Sequence, residues 1–198
     1  MPLKDPYIYI IGGGPSLEGF DFSLLENKCT ICVNHSIFDV PKPNYFVTCD
    51  GSLCLKEDFS KLKTIPAAKF YIDYFEEIPE DPGPFDFLVQ GENTCEFSLS
   101  WDRFAIGGNS GFSAIQLAIV LGYSRIALLG FDLNKKGKSH YHDTKGYSKT
   151  HILKNSDEFY QCFKQGFESL DPGIRIVSCS KDSRLNDFLP YKEINDVL

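Results

Sequence analysis

No apolar run in the 198-residue chain reaches the roughly 20 residues that a membrane-spanning helix needs. The first residues, Met1 to Pro6, lack the apolar stretch of a secretory leader, so a cytoplasmic setting is expected. A basic excess is missing too: the formal net charge is −7, which argues against a general binder of nucleic-acid backbone. It leaves room for a local pocket that holds one nucleotide. Internal repeats, low-complexity tracts and an obvious linker are also absent, so one domain over residues 1–198 is expected. With 42% hydrophobic and 24% charged residues, the chain has the balance of a globular protein with a full core.

Cysteine is not scarce. There are seven: Cys29, Cys32, Cys49, Cys54, Cys95, Cys162 and Cys179. Cys29 and Cys32 have the spacing of a redox or zinc pair, but no second half follows. They lie in an apolar, strand-like run, and core thiols are the better reading.

The most informative segment is the apolar run Tyr7–Ile11, which stops at Gly12, Gly13, Gly14, Pro15 and Ser16. Glycine permits a sharp turn and a close approach by a ligand. Proline presets the backbone of a first helical residue. The spacing is neither the dinucleotide fingerprint nor a P-loop, since no Lys-Ser/Thr follows. A nucleotide site of another kind is expected; the alternative is a tight strand-to-helix turn with no ligand.

Further along, apolar runs alternate with helical patterns, which predicts an α/β, Rossmann-like fold with a mainly parallel sheet. Strands are expected near Tyr7–Ile11, Thr30–Val33, Tyr45–Thr48, Lys69–Ile72, Phe87–Val89, Arg125–Gly130 and Ile174–Val177. A short helix or turn is expected over Leu17–Leu25, and helices over Ser52–Leu62, Phe112–Leu121 and Ser156–Leu170. The Phe112–Leu121 helix is nearly all apolar and should be buried, with Gly122 ending it. The stretch Asn134–Lys149 has no apolar period and carries five lysines, two histidines and two tyrosines. A polar lid over about 133–151 is expected.

Polar groups cluster at the expected carboxyl ends of the strands: Gly12–Ser16, then Asn34 and His35, then Asp50 and Gly51, then Asp132. Asn109, Ser110 and Gly111 open the buried helix. In an open parallel sheet these ends share one crevice. Helix-opening amides suit a phosphate, and Asn34 can pair with a base or sugar edge. Asp50 can hold a hydroxyl, or a metal through water. Simple capping by Asn34 and Ser110, and a turn role for Asp50, are the plain alternatives. Asp132 can serve as a brace between loops. In the lid, histidine is the natural base for an acceptor hydroxyl, and Tyr or Lys can donate to a departing phosphate.

The ordered set is similar to a known group of enzymes. Gly12 to Leu17, the strand ending in Asn34, Asn109 to Gly111 opening an apolar helix, and Leu121 to Asp132 carry the likeness. The chain resembles the bacterial sialyltransferases of glycosyltransferase family 42. It also resembles the wider group with the motility accessory factor glycosyltransferases and the archaeal-type hydroxymethylpterin diphosphokinases. The resemblance implies a Rossmann-like fold that binds a CMP-sugar and transfers a nonulosonate to an acceptor hydroxyl with inversion. It implies a histidine base at His151, phosphate contacts from the lid residues His140, Tyr141 and Tyr147, and no essential cofactor. The chain departs from the family at Gly13, where an Asn is expected, and at Gly107, where an Arg is expected, with Arg103 the nearest substitute. It departs again at Cys49-Asp50-Gly51, which replaces Asn-Pro-Gly, and at Asn134, which replaces a tyrosine.

The partners expected are a CMP-type donor and a glycan or small-molecule acceptor, with a homo-oligomer compatible. Two alternatives stay open. One is a Mg²⁺-dependent diphosphokinase on a small heterocycle, using Asp50 and Asp132. The other is a non-catalytic nucleotide- or glycan-binding module.

Overall fold

The computed structural model describes residues 7–50, 59–73, 81–133, 140–141 and 149–198, with side chains of 59 and 149–155 outside the description. Its strands are β1 (Ile8–Ile11), β2 (Cys29–Val33), β3 (Tyr45–Thr48), β4 (Ala68–Asp73), β5 (Phe87–Glu92), β6 (Phe104–Ala105), β7 (Arg125–Leu129) and β8 (Arg175–Ser178). They form one sheet in the order β6-β5-β4-β3-β2-β1-β7-β8, and every pairing is parallel. The arrangement is α/β and Rossmann-like, as expected. The chain steps outward from β1 to β6, then returns to lay β7 and β8 on the other side of β1. The reversal beside β1 opens a crevice at the carboxyl ends, the usual ligand position in such sheets.

The central strands are short runs of Ile, Val, Leu and Ala because both of their faces are covered. Ile8 and Ile10 of β1, with Ile126 and Leu128 of β7, point into one core. Tyr9, Ile11, Ala127 and Leu129 point into the other. The first core lies under α2 (Ser110–Val120) and α3 (Lys149–Glu168). In α2, residues Phe112 to Ile119 are all buried, which explains its nearly unbroken apolar sequence. The second core is closed by 3-10 turns at Pro15–Leu17, Phe22–Leu25 and Asn34–Phe38, by α1 (Phe59–Thr64), and by Val197 near the last residue.

Several boundaries differ from expectation. The segment Leu17–Leu25 is two 3-10 turns, with Gly19 between them at φ +77°. The helix expected over Ser52–Leu62 falls largely outside the described residues, and α1 ends at Thr64. β6 was not expected, because two residues carry no period. Gly122 ends α2 as expected, at φ +87° with its amide on the Ile119 carbonyl. The expected lid range overlaps α3, which already begins at Lys149. One further link could not be read from local pattern: Cys95 and Cys162, 67 residues apart, form a disulfide. Cys29, Cys32, Cys49 and Cys179 are thiols, with Cys32 buried as the core reading expects. Among the described residues, no helix is long and apolar enough to cross a membrane.

Candidate functional site

The register sets the floor of the crevice. Ile11 of β1 lies beside both Cys32 of β2 and Leu129 of β7. The residues that follow, Gly12, Asn34 and Gly130, therefore emerge at the same end of the sheet.

The glycine loop is bound tightly to the end of β7. The Gly12 amide donates to the Leu129 carbonyl at 2.8 Å and the Gly14 amide to the Gly130 carbonyl at 2.8 Å. A Cβ on Gly12 would stand 2.6 Å from the Gly130 oxygen, and one on Gly14 would run into the Asp132 carboxylate. Pro15 opens the following 3-10 turn. Ser16 gives both its amide and its hydroxyl to Asp132 Oδ2, each at 3.1 Å. Its Oγ also lies 2.9 Å from Ser180 Oγ, which in turn accepts the Gly130 amide at 3.2 Å.

Asp132 is only 4% exposed. Burial pushes its carboxyl above the usual range, and the Ser16 and Ser180 donors pull it back in part. It acts as the brace that one reading of the sequence gave it. The amides of Gly12, Gly14 and Ser16 thus bond within the fold. Gly12 and Gly14 are glycines because the loop meets the end of β7 closely there.

At the end of β2, Asn34 stands at φ +55°, a left-handed backbone that asparagine tolerates better than most residues. Its Oδ1 is buried and has no hydrogen-bond partner among the described residues. Next to it, Ser36 Oγ accepts the Val33 amide at 2.9 Å and donates to the Ile11 carbonyl at 2.8 Å. That bond ties the Asn34 turn to the end of β1. His35 is half-buried, with its ring 6.1 Å from that of Phe38.

The start of α2 forms the next wall. Asn109 caps the helix: its Oδ1 accepts the Phe112 amide at 2.9 Å and its Nδ2 donates to the Gly107 carbonyl at 3.1 Å. Gly107 and Gly108 both have positive φ. Ser110 Oγ accepts the Cys49 amide at 2.9 Å, which joins α2 to the end of β3. Gly111 lies under Phe131, whose Cε1 would be 2.9 Å from an added Cβ. Capping is therefore what the Asn109 side chain does. The Ser110 side chain fastens a strand end instead.

Asp50 is half-buried, and its amide donates to Thr48 Oγ1 at 3.0 Å. Burial pushes the neighbouring Cys49 thiol up to about 11. Gly51 lies outside the described residues.

Of the expected lid, residues 134–139 and 142–148 lie outside the description, Asn134 and Tyr147 among them. Tyr141 is fixed. Its amide donates to the Gly13 carbonyl at 3.0 Å and its hydroxyl to Asp39 Oδ2 at 2.7 Å. Its ring lies 5.6 Å from that of Phe22. Burial and the Asp39 carboxylate push its hydroxyl pKa up. Tyr141 fastens its segment to the glycine loop. His140 beside it is half-buried. His151 belongs to the first turn of α3.

Arg103, the nearest substitute for the missing arginine, is exposed and faces Glu92 at 4.0 Å. Among the described residues, no group of three His, Cys, Asp or Glu could hold a metal ion. Asp132 is bonded to Ser16 and closed from solvent.

Sequence reading missed Asp39, Ser36 and Ser180. Ser180 follows β8, and its place just past a strand end was the one available signal. Asp39 acquires its role only through Tyr141, 102 residues on, and Ser36 adds a bond to Ile11, 25 residues back, to its local one with Val33.

No family model and no curated protein matches the chain. Solved structures do. One is the Maf glycosyltransferase of Magnetospirillum magneticum AMB-1, with TM-score 0.61 and 14% identity. The match covers 98% of this chain and 34% of that one, so this chain spans about a third of its length. Another is the sialyltransferase CstII of Campylobacter jejuni, solved in complex with the substrate analogue CMP-3FNeuAc. There the TM-score is 0.53 and the identity 18%, over 93% of this chain and 86% of that one. The fold is that of these glycosyltransferases. They come from the two groups that the motif order of the sequence resembles.

Proposed function

We propose that this chain is a glycosyltransferase domain that takes a nucleotide-sugar donor, of the CMP-nonulosonate class, at the carboxyl ends of β1, β2 and β3. The observation that carries the reading is the buried Oδ1 of Asn34, unpartnered among the described residues, on a left-handed backbone beside the topological switch. An unsatisfied buried acceptor costs about 1–3 kcal/mol. A ligand amino or hydroxyl group that donates to it would recover that cost. The shared fold with a CMP-sugar enzyme supports the choice of donor.

In this reading Asn34 and Asp50 orient the base, ribose or sugar, with His35 and Gly51 beside them. Backbone amides at Gly13 and at Ser110–Gly111 face the phosphate. The acceptor oxygen attacks the anomeric carbon while His151, on the first turn of α3, takes its proton. The bond from that carbon to the phosphate oxygen breaks, its electron pair stays on the phosphate, and the configuration inverts. His140 and Tyr147 meet the departing phosphate. One base and one phosphate clamp suffice for such a displacement, since holding the two reactants together supplies much of the acceleration. The cytoplasm is the setting in which we place it.

The test is a thermal-shift panel of CMP, UDP, GDP, ADP and ATP, each with and without Mg²⁺. CMP should raise the melting temperature of the parent protein without metal and leave Asn34→Ala unmoved. Stabilisation by ATP alone, and only with Mg²⁺, would replace this reading with the phosphotransferase one.

A further inference from the structure

We infer that the Cys95–Cys162 disulfide is a redox-sensitive clip that holds α3 against the opening turn of α2, and that thiol exchange releases it. The claim needs only the crevice walls, not the transferase reading.

Segment 93–100 bridges the two helices. It is tied to α2 by bonds that do not involve sulfur. Gln116, wholly buried, accepts the Ser98 amide at 2.9 Å and donates to the Ser98 carbonyl at 2.8 Å. Phe97 stacks on Phe112 with ring centroids 4.2 Å apart. The Gly107 amide, in the turn that opens α2, donates to the Thr94 carbonyl at 3.1 Å. Towards α3 the attachment is different. It includes the disulfide at Cys162, a ring contact of Phe97 to Phe167 at 5.7 Å, and the Phe97 ring over Gly166, 2.9 Å from where a Cβ would stand. Around it Phe163 packs on Phe112, and the ring of Phe159 lies near Gly108. Breaking the S–S bond should therefore leave segment 93–100 on α2 and loosen α3. Cys162 lies 11 residues after His151, about 16 Å along the helix. The clip thus acts on the helix whose first turn includes His151.

Access favours exchange at one sulfur. Cys95 is half-buried, whereas Cys162 is 7% exposed. An incoming thiolate attacks Cys95 Sγ and forms a mixed disulfide, and the Cys162 sulfur leaves as a thiolate and takes a proton. A second reductant thiol then frees Cys95. Two electrons and two protons enter the protein, and the reductant leaves as its own disulfide. In reducing surroundings a disulfide is usually transient or sensing rather than permanent, and a clip between two helices fits that use.

The test uses the full chain. Peptide mapping after alkylation without reductant should recover a linked Cys95–Cys162 pair, and dithiothreitol should release two thiols. Hydrogen exchange should then quicken about ten-fold in α3, while β1, β2 and β7 stay within about two-fold. Cys95→Ser should show the fast exchange without reductant and no response to dithiothreitol. If that variant does not fold, titrating the parent with dithiothreitol gives the same comparison. Three results would overturn the inference. One is alkylation of both cysteines even after treatment with oxidised glutathione. The second is equal α3 exchange in the two states. The third is uniform acceleration across the sheet, which would mean that the bond supports the whole fold rather than one wall.

Discussion

Replacing Gly14 with alanine separates two explanations of the glycine loop. Its backbone, at φ −66° and ψ 152°, suits alanine, so any cost is steric. The added methyl would overlap Asp132 Oδ2 and stand 2.6 Å from the Gly130 carbonyl oxygen. The loop must then lift from β7. Overpacking of this kind costs about 1–3 kcal/mol. The Gly14 to Gly130 hydrogen bond, 2.8 Å long, would be lost or stretched for about 1 kcal/mol more. Alanine recovers about 0.4–1 kcal/mol by restricting the unfolded chain. The net expectation is a loss of about 2–3 kcal/mol. For a chain of this size that lowers Tm by roughly 5–10 °C.

The assay is urea unfolding of the ligand-free protein, with the denaturant slope unchanged. Gly19→Ala is the control. Gly19 has φ +77° and open space around it, so about 1 kcal/mol is expected there. A Gly14→Ala protein as stable as the parent would refute the packing account. It would return the loop to a role in ligand approach.

Other expectations follow from the same geometry. Asp132 has a raised folded pKa, so its stability contribution is present below the ordinary carboxylate range and is lost as pH rises through the folded value. Asp132→Asn should therefore match the parent near pH 3 and gain on it as pH rises through the acid range, as acid-to-neutral melting curves would show; a gap that shrinks would contradict the sign. Tyr141→Phe removes the bond to Asp39, with an expected loss of about 1 kcal/mol in urea unfolding. It should also quicken proteolysis of the segment around residue 141, and unchanged cleavage would deny the fastening role. His151→Ala should lower transfer from a CMP-sugar by about 10²-fold or more while CMP affinity stays nearly constant. Full activity in that variant would remove His151 as the base.

The strands were largely legible because burial on both faces leaves a simple mark. Tyr45–Thr48 is an apolar run between polar flanks, and it is β3 to the residue. Asn109 and Gly122 were readable as helix ends because capping is a local matter of a few residues. β6 was not, since its two residues gain strand geometry only by lying beside Gly91 and Glu92. In the site, the positions of Gly12–Ser16, Asn34, Asp50 and Asp132 at strand ends could be read from the chain, but their bonds could not. Ser16 meets Asp132 across 116 residues, and Tyr141 meets Asp39 across 102.

Sequence alone determined the class of fold, the carboxyl-end crevice and the residues that stand at its rim. These follow from apolar period, glycine and capping chemistry, all of which act over a few neighbouring residues. Tertiary structure decided what those residues do. It turned the glycine loop inward onto Gly130 and Asp132, left the Asn34 oxygen without a partner among the described residues, and joined Cys95 to Cys162. The physical reason is that hydrogen bonds and disulfides depend on distances of a few ångströms. Between remote segments, only the packed sheet and its helices set those distances.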